Sequence, residues 1–380
     1  MAENVFKTAA ALWSGSVLLV EEARCVNIRS RSEICARCVK ACPKNAIELD
    51  LDSVVITDDC TDCGACLPAC PSGALRLEGF WPANLLQTLD NGKTLDLHCR
   101  ESTGANGGVV IPCHQVLDAR LVAAFAGSGC TQINIHGLEN CQTCRHGSAI
   151  KALEKTDRAL KRWLGEDAPY LDLYPQEAQS GSSQTAQRHD QIKIDRRNFF
   201  KLARSQAAAA ATSWTAPLKE EAPNPYASFA GELIPAEPDP YQSTMALRID
   251  DIAWKKKSLP IYWRQFTDAC NLCMSCAERC PTGALEALAG NLAKGIAFSS
   301  LLCTNCGLCT QVCPFDAINS GAVRNPEFIT STPVILKQLQ LNKCSQCQSE
   351  FIPKTPDETL CLTCSNEQEI EDEWLSFMGA

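Results

Sequence analysis

Residues Cys303 to Pro314 read C-T-N-C-G-L-C-T-Q-V-C-P, and no other stretch constrains the chain so tightly. Three thiols at two-residue spacing place three soft metal ligands on one short loop. A fourth follows three residues later, and the proline behind it turns the chain away from the loop that carries the first three. The run recurs at Cys270, Cys273, Cys276, Cys280, Pro281 and at Cys60, Cys63, Cys66, Cys70, Pro71, with an altered copy at Cys25, Cys35, Cys38, Cys42, Pro43. Behind each proline comes a similar tail: Asn45-Ala46-Ile47, Gly73-Ala74-Leu75, Gly283-Ala284-Leu285 and Asp316-Ala317-Ile318. These are internal repeats. A disulfide framework or structural zinc does not place thiols and prolines in four such copies.

The run resembles the pattern of bacterial two-cluster ferredoxins, which implies cubane [4Fe-4S] clusters and cross-ligation, the fourth cysteine serving the neighbouring cluster. On that resemblance the fold class is α+β. Two dicluster ferredoxin modules, residues 21–85 and 256–330, flank a small α/β domain. In the second module Cys270, Cys273, Cys276 and Cys313 are expected to hold one cluster, and Cys303, Cys306, Cys309 and Cys280 the other. In the first, Cys60, Cys63, Cys66 and Cys42 form one set and Cys25, Cys35, Cys38 and Cys70 the other. Here the spacing departs from the pattern. Ser32 stands where a thiol is expected, so Cys25 must reach in across the insert Val26 to Ile34. Cys25 is read as the ligand, a three-iron or serine-ligated cluster being the alternative. Arg29 and Arg31 in the insert either raise the potential of that site or contact a partner, or else form a solvated basic loop.

The chain has 380 residues and 25 cysteines, a length that suggests about two to three domains. The cysteines fall as eight between 25 and 70, five between 99 and 144, eight between 270 and 313 and four between 344 and 364. Such grouping points to metal modules, and thiols kept as ligands imply a reducing, cytoplasmic compartment. A formal charge of -9 argues against a nucleic-acid partner and suits docking to a basic patch on a redox enzyme. Residues 1–20 read as a helix and a first strand packing on the cluster domain. Their apolar stretch, Thr8 to Val20, is too short to span a bilayer, and Glu21-Glu22 stands where a cleavage site would need small residues. No transmembrane segment is expected anywhere in the sequence.

Residues 90–175 alternate strand and helix signals. Thr94 to His98, Val109 to Pro112, Gln132 to His136 and Tyr170 to Leu173 read as short buried strands, with helices over Leu117 to Phe125 and Ser148 to Leu164. Cys99, Cys113 and the pair Cys141-x2-Cys144 sit at strand ends; Cys130 reads as core. The Ile111-Pro112-Cys113 turn and the later pair resemble the small iron-sulfur (delta) subunit of methyl-viologen-reducing hydrogenases and heterodisulfide reductases. That resemblance implies one [2Fe-2S] centre on Cys99, Cys113, Cys141 and Cys144, although no cysteine directly follows Ile135-His136-Gly137. The alternative is four buried thiols in a docking platform. His98, His114 and His136 are candidate ligands, but strand-end histidines are more often simply hydrogen-bonded.

Composition marks a flexible linker at 176–194 and a stiffer Pro-rich one at 213–255. Between them, Asp195-Arg196-Arg197-Asn198-Phe199-Phe200-Lys201 matches the twin-arginine core. It reads either as the start of an Asp-capped helix over 195–212 or as a relic of the leader of ferredoxins associated with periplasmic nitrate reductase. Residues 335–380 form a zinc ribbon with an acidic tail: Cys344-x2-Cys347 and Cys361-x2-Cys364 lie thirteen residues apart, filling all four positions of a tetrahedral ion with thiolate. Zinc is the expected metal, with rubredoxin-type iron the runner-up.

Glycine fingerprints for nucleotides, a nucleophile elbow and pterin- or flavin-type motifs are missing from the sequence, so substrate chemistry is not expected. The chain reads as a polyferredoxin that moves electrons between redox partner proteins. The resemblance to nitrate-reductase-associated ferredoxins implies a molybdenum or tungsten partner such as a formate or aldehyde oxidoreductase. A maturation or scaffold protein with structural clusters is the alternative.

Overall fold

The computed structural model describes residues 18–89, 93–102, 108–173, 187–188, 236–255, 259–290, 293–325, 329, 332–353, 355 and 357–378. The expected Arg-Arg helix at 195–212, residues 1–17 and all of the linkers except 187–188 and 236–255 lie outside these residues.

Module 1 runs β1 (Leu18–Val20), α1 (Val26–Ser30), α2 (Arg37–Ala41), β2 (Ile47–Leu49), β3 (Val54–Ile56), α3 (Cys66–Ala69) and β4 (Leu75–Leu77). Its two ribbons are antiparallel, β1 with β4 and β2 with β3. The repeated tails explain the pairing. Ala46-Ile47 and Ala74-Leu75 are buried and lead into β2 and β4, so each proline turn delivers an apolar pair to the core.

The central domain follows with β5 (Thr94–Cys99), β6 (Val109–Ile111), α4 (Ala119–Gly127), β7 (Gln132–His136), α5 (Ile150–Leu164), β8 (Tyr170–Asp172) and β9 (Gln187–Arg188). All five strands are parallel, in the order β8-β7-β5-β6-β9. The chain leaves β5 for β6 on one side and then crosses to β7 on the other. In open α/β sheets this reversal marks where the carboxyl ends of strands form a binding crevice.

The Pro-rich linker expected over 213–255 is not a linker at its end. Residues 240–246 form α6 (Pro240–Ala246), which packs on α4 and on the 3-10 turn Pro82–Thr88. Composition concealed the pattern: Tyr241, Met245, Ile249 and Ile252 recur at helical spacing and all enter the main core. The start signal is ordinary, Asp239 accepting from the Gln242 amide at 2.8 Å with Pro240 in the first turn. Just before it, Arg24, only 1% exposed, ties the segment to module 1. Its guanidinium donates to Ser72 O at 2.9 and 2.6 Å, to Glu237 O at 2.7 Å and to the Glu237 carboxylate at 2.6 Å. Residues 187–188 likewise form a sheet strand within the other expected linker.

Module 2 repeats the plan of module 1 with β10 (Tyr262–Phe266), α7 (Ser275–Glu278), β11 (Leu285–Gly290), β12 (Ala293–Phe298), α8 (Leu308–Gln311) and β13 (Ile318–Ala322). β10 pairs with β13 as β1 does with β4, and β11 with β12 as β2 does with β3. A further strand, β14 (Val334–Gln340), extends the second ribbon of module 2, and the segment with the last four cysteines follows it. There β15 (Asn342–Lys343) pairs with β16 (Glu350–Phe351), and the expected acidic tail is the helix α9 (Leu362–Met378). The central domain stands between the modules in sequence but not in space. Module 1 touches both the central domain and module 2; it shares one apolar core with the former, and Leu259, Ile261, Leu301 and Val323 of module 2 belong to that core too.

Candidate functional site: the cysteine groups

Backbone conformation shapes each intact loop. Asp62 and Gly64 flank Cys63, Leu272 and Met274 flank Cys273, and Asn305 and Gly307 flank Cys306; all six have positive φ, between 52° and 86°. Such turns aim successive backbone N–H groups into one concavity, the arrangement that receives anionic phosphate and iron-sulfur groups. Each tail carries one more left-handed residue, Asn45, Gly73, Gly283 or Asp316, drawn from the types that tolerate that region. In three copies the next amide bonds back to the fourth cysteine: Ala46 N to Cys42 Sγ at 3.3 Å, Ala74 N to Cys70 Sγ at 3.3 Å and Ala317 N to Cys313 Sγ at 3.4 Å. The tails recognisable in the sequence therefore serve both as core and as donors to sulfur, a role the spacing did not disclose.

Thiols of different runs lie close together. Burial pushes the Cys38 thiol up to about 12, and Cys70, Cys35 and Cys25 are the thiols that add to the shift. Cys63 is raised mainly by burial, with Cys42 contributing; Cys66, raised well above the usual range by burial, stands near Cys63, Cys38, Cys70 and Cys60. In module 2 burial takes Cys276 and Cys306 to about 12 each. Cys309, Cys273, Cys270 and Cys313 act on Cys276; Cys280, Cys309 and Cys303 act on Cys306. Thiols so placed stay protonated unless a cationic centre takes them as ligands, because a coordinating metal removes the proton outright. The soft donor set, the N–H concavities and these buried thiols together fit an iron-sulfur cluster.

The insert after Cys25 folds as α1, and Asn27, 2% exposed, brings its end back to the start. The Asn27 side chain accepts from Ile34 N at 3.0 Å and Cys35 N at 2.8 Å and donates to Cys35 O at 2.9 Å. Cys25 thereby stands close enough for the Cys35 and Cys70 thiols to raise it, behind the larger effect of burial. Ser32 is engaged with Ser30, its hydroxyl donating to Ser30 O at 3.5 Å. Arg31 is exposed, whereas Arg29 is half-buried and donates to Ala23 O at 2.8 Å. Nothing in the sequence singled out Asn27.

In the central domain Cys99 ends β5, Cys113 lies just beyond β6, and Cys141 and Cys144 follow β7, all at the carboxyl edge of the sheet. Burial raises Cys99, with Cys144 and Cys141 adding to it; burial takes Cys113 to about 12, with Cys63 of module 1 and Cys99 adding. Ala149 N donates to Cys141 Sγ at 3.2 Å. Cys130 is buried apart from them, its thiol on Gln132 O at 3.3 Å. The histidines are hydrogen-bonded: His114 Nε2 with His136 O at 2.9 Å, His136 Nε2 with Asp96 Oδ1 at 2.9 Å and His98 Nδ1 with Ser102 Oγ at 3.3 Å. Burial lowers His114 to about 4, keeping it neutral. His146, two residues after Cys144 and not expected from sequence, is buried with Nε2 on Glu101 at 3.0 Å and Nδ1 without a hydrogen-bond partner among the described residues.

The Sγ atoms of Cys344, Cys347, Cys361 and Cys364 lie within 4.8 Å of one another. That is the scale of a single tetrahedral ion, for which metal–sulfur bonds of about 2.3 Å put the sulfurs about 3.8 Å apart. Backbone N–H groups of Cys347 and Cys361 hold the Cys344 thiol down to about 6.

Two stretches, residues 33–74 and 269–317, match the 4Fe-4S dicluster domain family. The first begins beyond Cys25, in keeping with the altered copy. No curated protein matches the chain. Among the described residues no helix is long and apolar enough to cross a membrane.

Proposed function

From two 4Fe-4S dicluster domains in one chain, we propose that this protein is a polyferredoxin carrying electrons through four [4Fe-4S] clusters between redox partner proteins in the cytoplasm. Such domains are typical of electron carriers and not of catalytic enzymes. The observation that carries the reading is the proximity of thiols from different runs. Cys70 and Cys25 stand with Cys35 and Cys38, and Cys280 with Cys303, Cys306 and Cys309, as cross-ligation requires. We refer to the four sets by one member each: the Cys38 group (Cys25, Cys35, Cys38, Cys70), the Cys63 group (Cys60, Cys63, Cys66, Cys42), the Cys306 group (Cys303, Cys306, Cys309, Cys280) and the Cys273 group (Cys270, Cys273, Cys276, Cys313).

A bound cubane supplies a one-electron couple. The chain's own residues supply the ligands, the amide donors to sulfur, and the apolar packing that keeps water from the inner thiols. Cys99, Cys113, Cys141 and Cys144 hold a fifth iron-sulfur centre, and the C-terminal group of four cysteines holds zinc. A molybdenum or tungsten oxidoreductase is the partner class that the sequence resemblance favours, and its one-electron donors and acceptors complete the couple.

Cys280→Ser tests the assignment. It should alter the spectroscopic signal of the Cys306 group, leaving a shifted potential or a three-iron centre there. Damage confined to the Cys273 group would mean that each run binds its own cluster. Slow or irreversible reduction of the intact chain by redox partners would favour a maturation role instead.

A further inference from the structure

The contacts between modules lie at residues adjacent to cysteines. Thr304, next to Cys303, donates its hydroxyl to the carbonyl of Pro71, next to Cys70, at 2.6 Å. Arg37, next to Cys38, donates to the carbonyl of Asn305, next to Cys306, at 3.0 Å. Arg29 on α1 and Arg279, next to Cys280, exchange bonds: Arg29 Nη1 donates to Arg279 O at 3.2 Å and Arg279 Nη1 to Arg29 O at 3.3 Å. Behind these bonds α1 packs on α8. The Cys38 and Cys306 groups thus face each other across a built joint.

A second joint links module 1 to the central domain. A Cβ placed on Gly64, which follows Cys63, would lie 2.7 Å from Val116 Cγ1, three residues beyond Cys113. One on Gly147 would lie 2.7 Å from Cβ of Pro43, which follows Cys42. Arg100, which follows Cys99, donates to Asp62 O and, at 3.4 Å, to Pro112 O. Within each module the two groups are already neighbours, α2 packing on α3 and α7 on α8.

Resting on the four-cluster reading, we propose that these joints set the cysteine groups in a single unbranched row. It begins at the central-domain group and passes through the Cys63, Cys38, Cys306 and Cys273 groups in that order, with Arg29 at the inter-module gap as a positioning residue that tunes the Cys306 group. Module 1, not the central domain, is the middle of the row. The row enters or leaves through the central domain at one end and the Cys273 loop at the other.

The charge of Arg29 gives the proposal a direction. Its guanidinium, bonded to the carbonyl of Arg279 next to Cys280, stands near the Cys280 and Cys306 thiols. A second cation, Arg264 of module 2, is 5% exposed, donates to Asn305 Oδ1 at 2.9 Å, and lies beside Cys303, Cys309 and Cys306. A cation near a cluster favours its reduced, more negative form, and net charge and hydrogen bonding are the levers by which a protein sets these potentials. One centre is therefore governed by an arginine from each module.

Redox titration of the full chain, followed by EPR, reads this directly. Iron and sulfide are measured first in wild type, Arg29→Gln, Arg29→Lys and Arg264→Gln. Fewer irons than four cubanes need in wild type would sink the cluster reading itself, separately from the row. With iron intact, Arg29→Gln and Arg264→Gln should both shift the midpoint of the same signal to more negative values, and Arg29→Lys should restore most of the shift. Different signals moved by the two arginines, or no shift in Arg29→Gln, would overturn the proposal. Equal shifts in the Gln and Lys variants would remove the role of charge, and loss of iron in both Arg29 variants would make that arginine structural alone.

Discussion

Replacing Asn27 with leucine should release one centre and spare the others. The side chain makes three hydrogen bonds in the insert: with Ile34 N at 3.0 Å, Cys35 N at 2.8 Å and Cys35 O at 2.9 Å. Ile34 N keeps a second acceptor in Ser32 O at 2.9 Å, so the groups left without a partner are the amide and carbonyl of Cys35. Cys35 is half-buried, and water can meet part of the deficit. Two such groups at about 1 to 1.5 kcal/mol each give about 2 to 3 kcal/mol, or roughly 30- to 150-fold in the equilibrium for opening the insert. With Cys25 and Cys35 no longer held together, iron at the Cys38 group becomes labile. The assay is iron release to a chelator under anaerobic conditions. About a quarter of the cubane iron should leave faster than the rest, and Asn27→Asp, which keeps the acceptor, should fall between wild type and Asn27→Leu. Uniform release from all centres, or release unchanged from wild type, would refute the reasoning.

Arg24→Met leaves Glu237 its Arg76 partner but orphans the carbonyls of Ser72 and Glu237. Hydrogen exchange at 240–246 should accelerate about 100-fold, the equivalent of about 3 kcal/mol, with the visible absorption retained; unchanged exchange would mean that the tie contributes nothing. Met274 holds φ at 64°, and Met274→Gly should stabilise its loop by about 1 kcal/mol, measured as slower iron loss from module 2. In the C-terminal group, backbone N–H groups hold the Cys344 thiol below the usual range, so its thiolate is favoured at neutral pH and is lost as acid protonates it. Zinc should be retained at pH 7 and released to a chelator as acid protonates the thiolates, while release that does not depend on pH would mean that other ligands dominate. Replacing Cys344 and Cys361 together by serine should abolish zinc binding and leave the cluster absorption unchanged.

What could be read from the sequence was local. A C-x2-C-x2-C loop carries its thiol spacing within seven residues, and four strands of the central domain announce themselves as short apolar runs, though not their parallel order. The C-terminal group of four cysteines was legible for the same reason: two C-x2-C pairs, each four residues long. The distant contacts were not legible. Thr304 meets Pro71, and Arg29 meets Arg279, across more than two hundred residues, and neither pair carries a local signature. α6 was hidden because a Pro- and acid-rich composition reads as linker, although Asp239-Pro240 is a start signal and Tyr241, Met245 and Ile249 repeat at helical spacing. Asn27 was overlooked for a different reason, since a buried asparagine that clamps an insert looks like any polar residue until the insert closes on it. The Arg29 question, left open between a tuning role and a solvated loop, turns on burial, which spacing does not encode; Arg31, two residues on, is exposed.

Metal content of the anaerobically purified full chain tests the central claim most directly. Four cubanes and a ribbon predict about 16 iron and 16 sulfide per chain with about one zinc, and about two to four further irons for a centre in the central domain. A fully reconstituted chain that holds about eight irons would remove one dicluster module from the account, and the row through both modules with it.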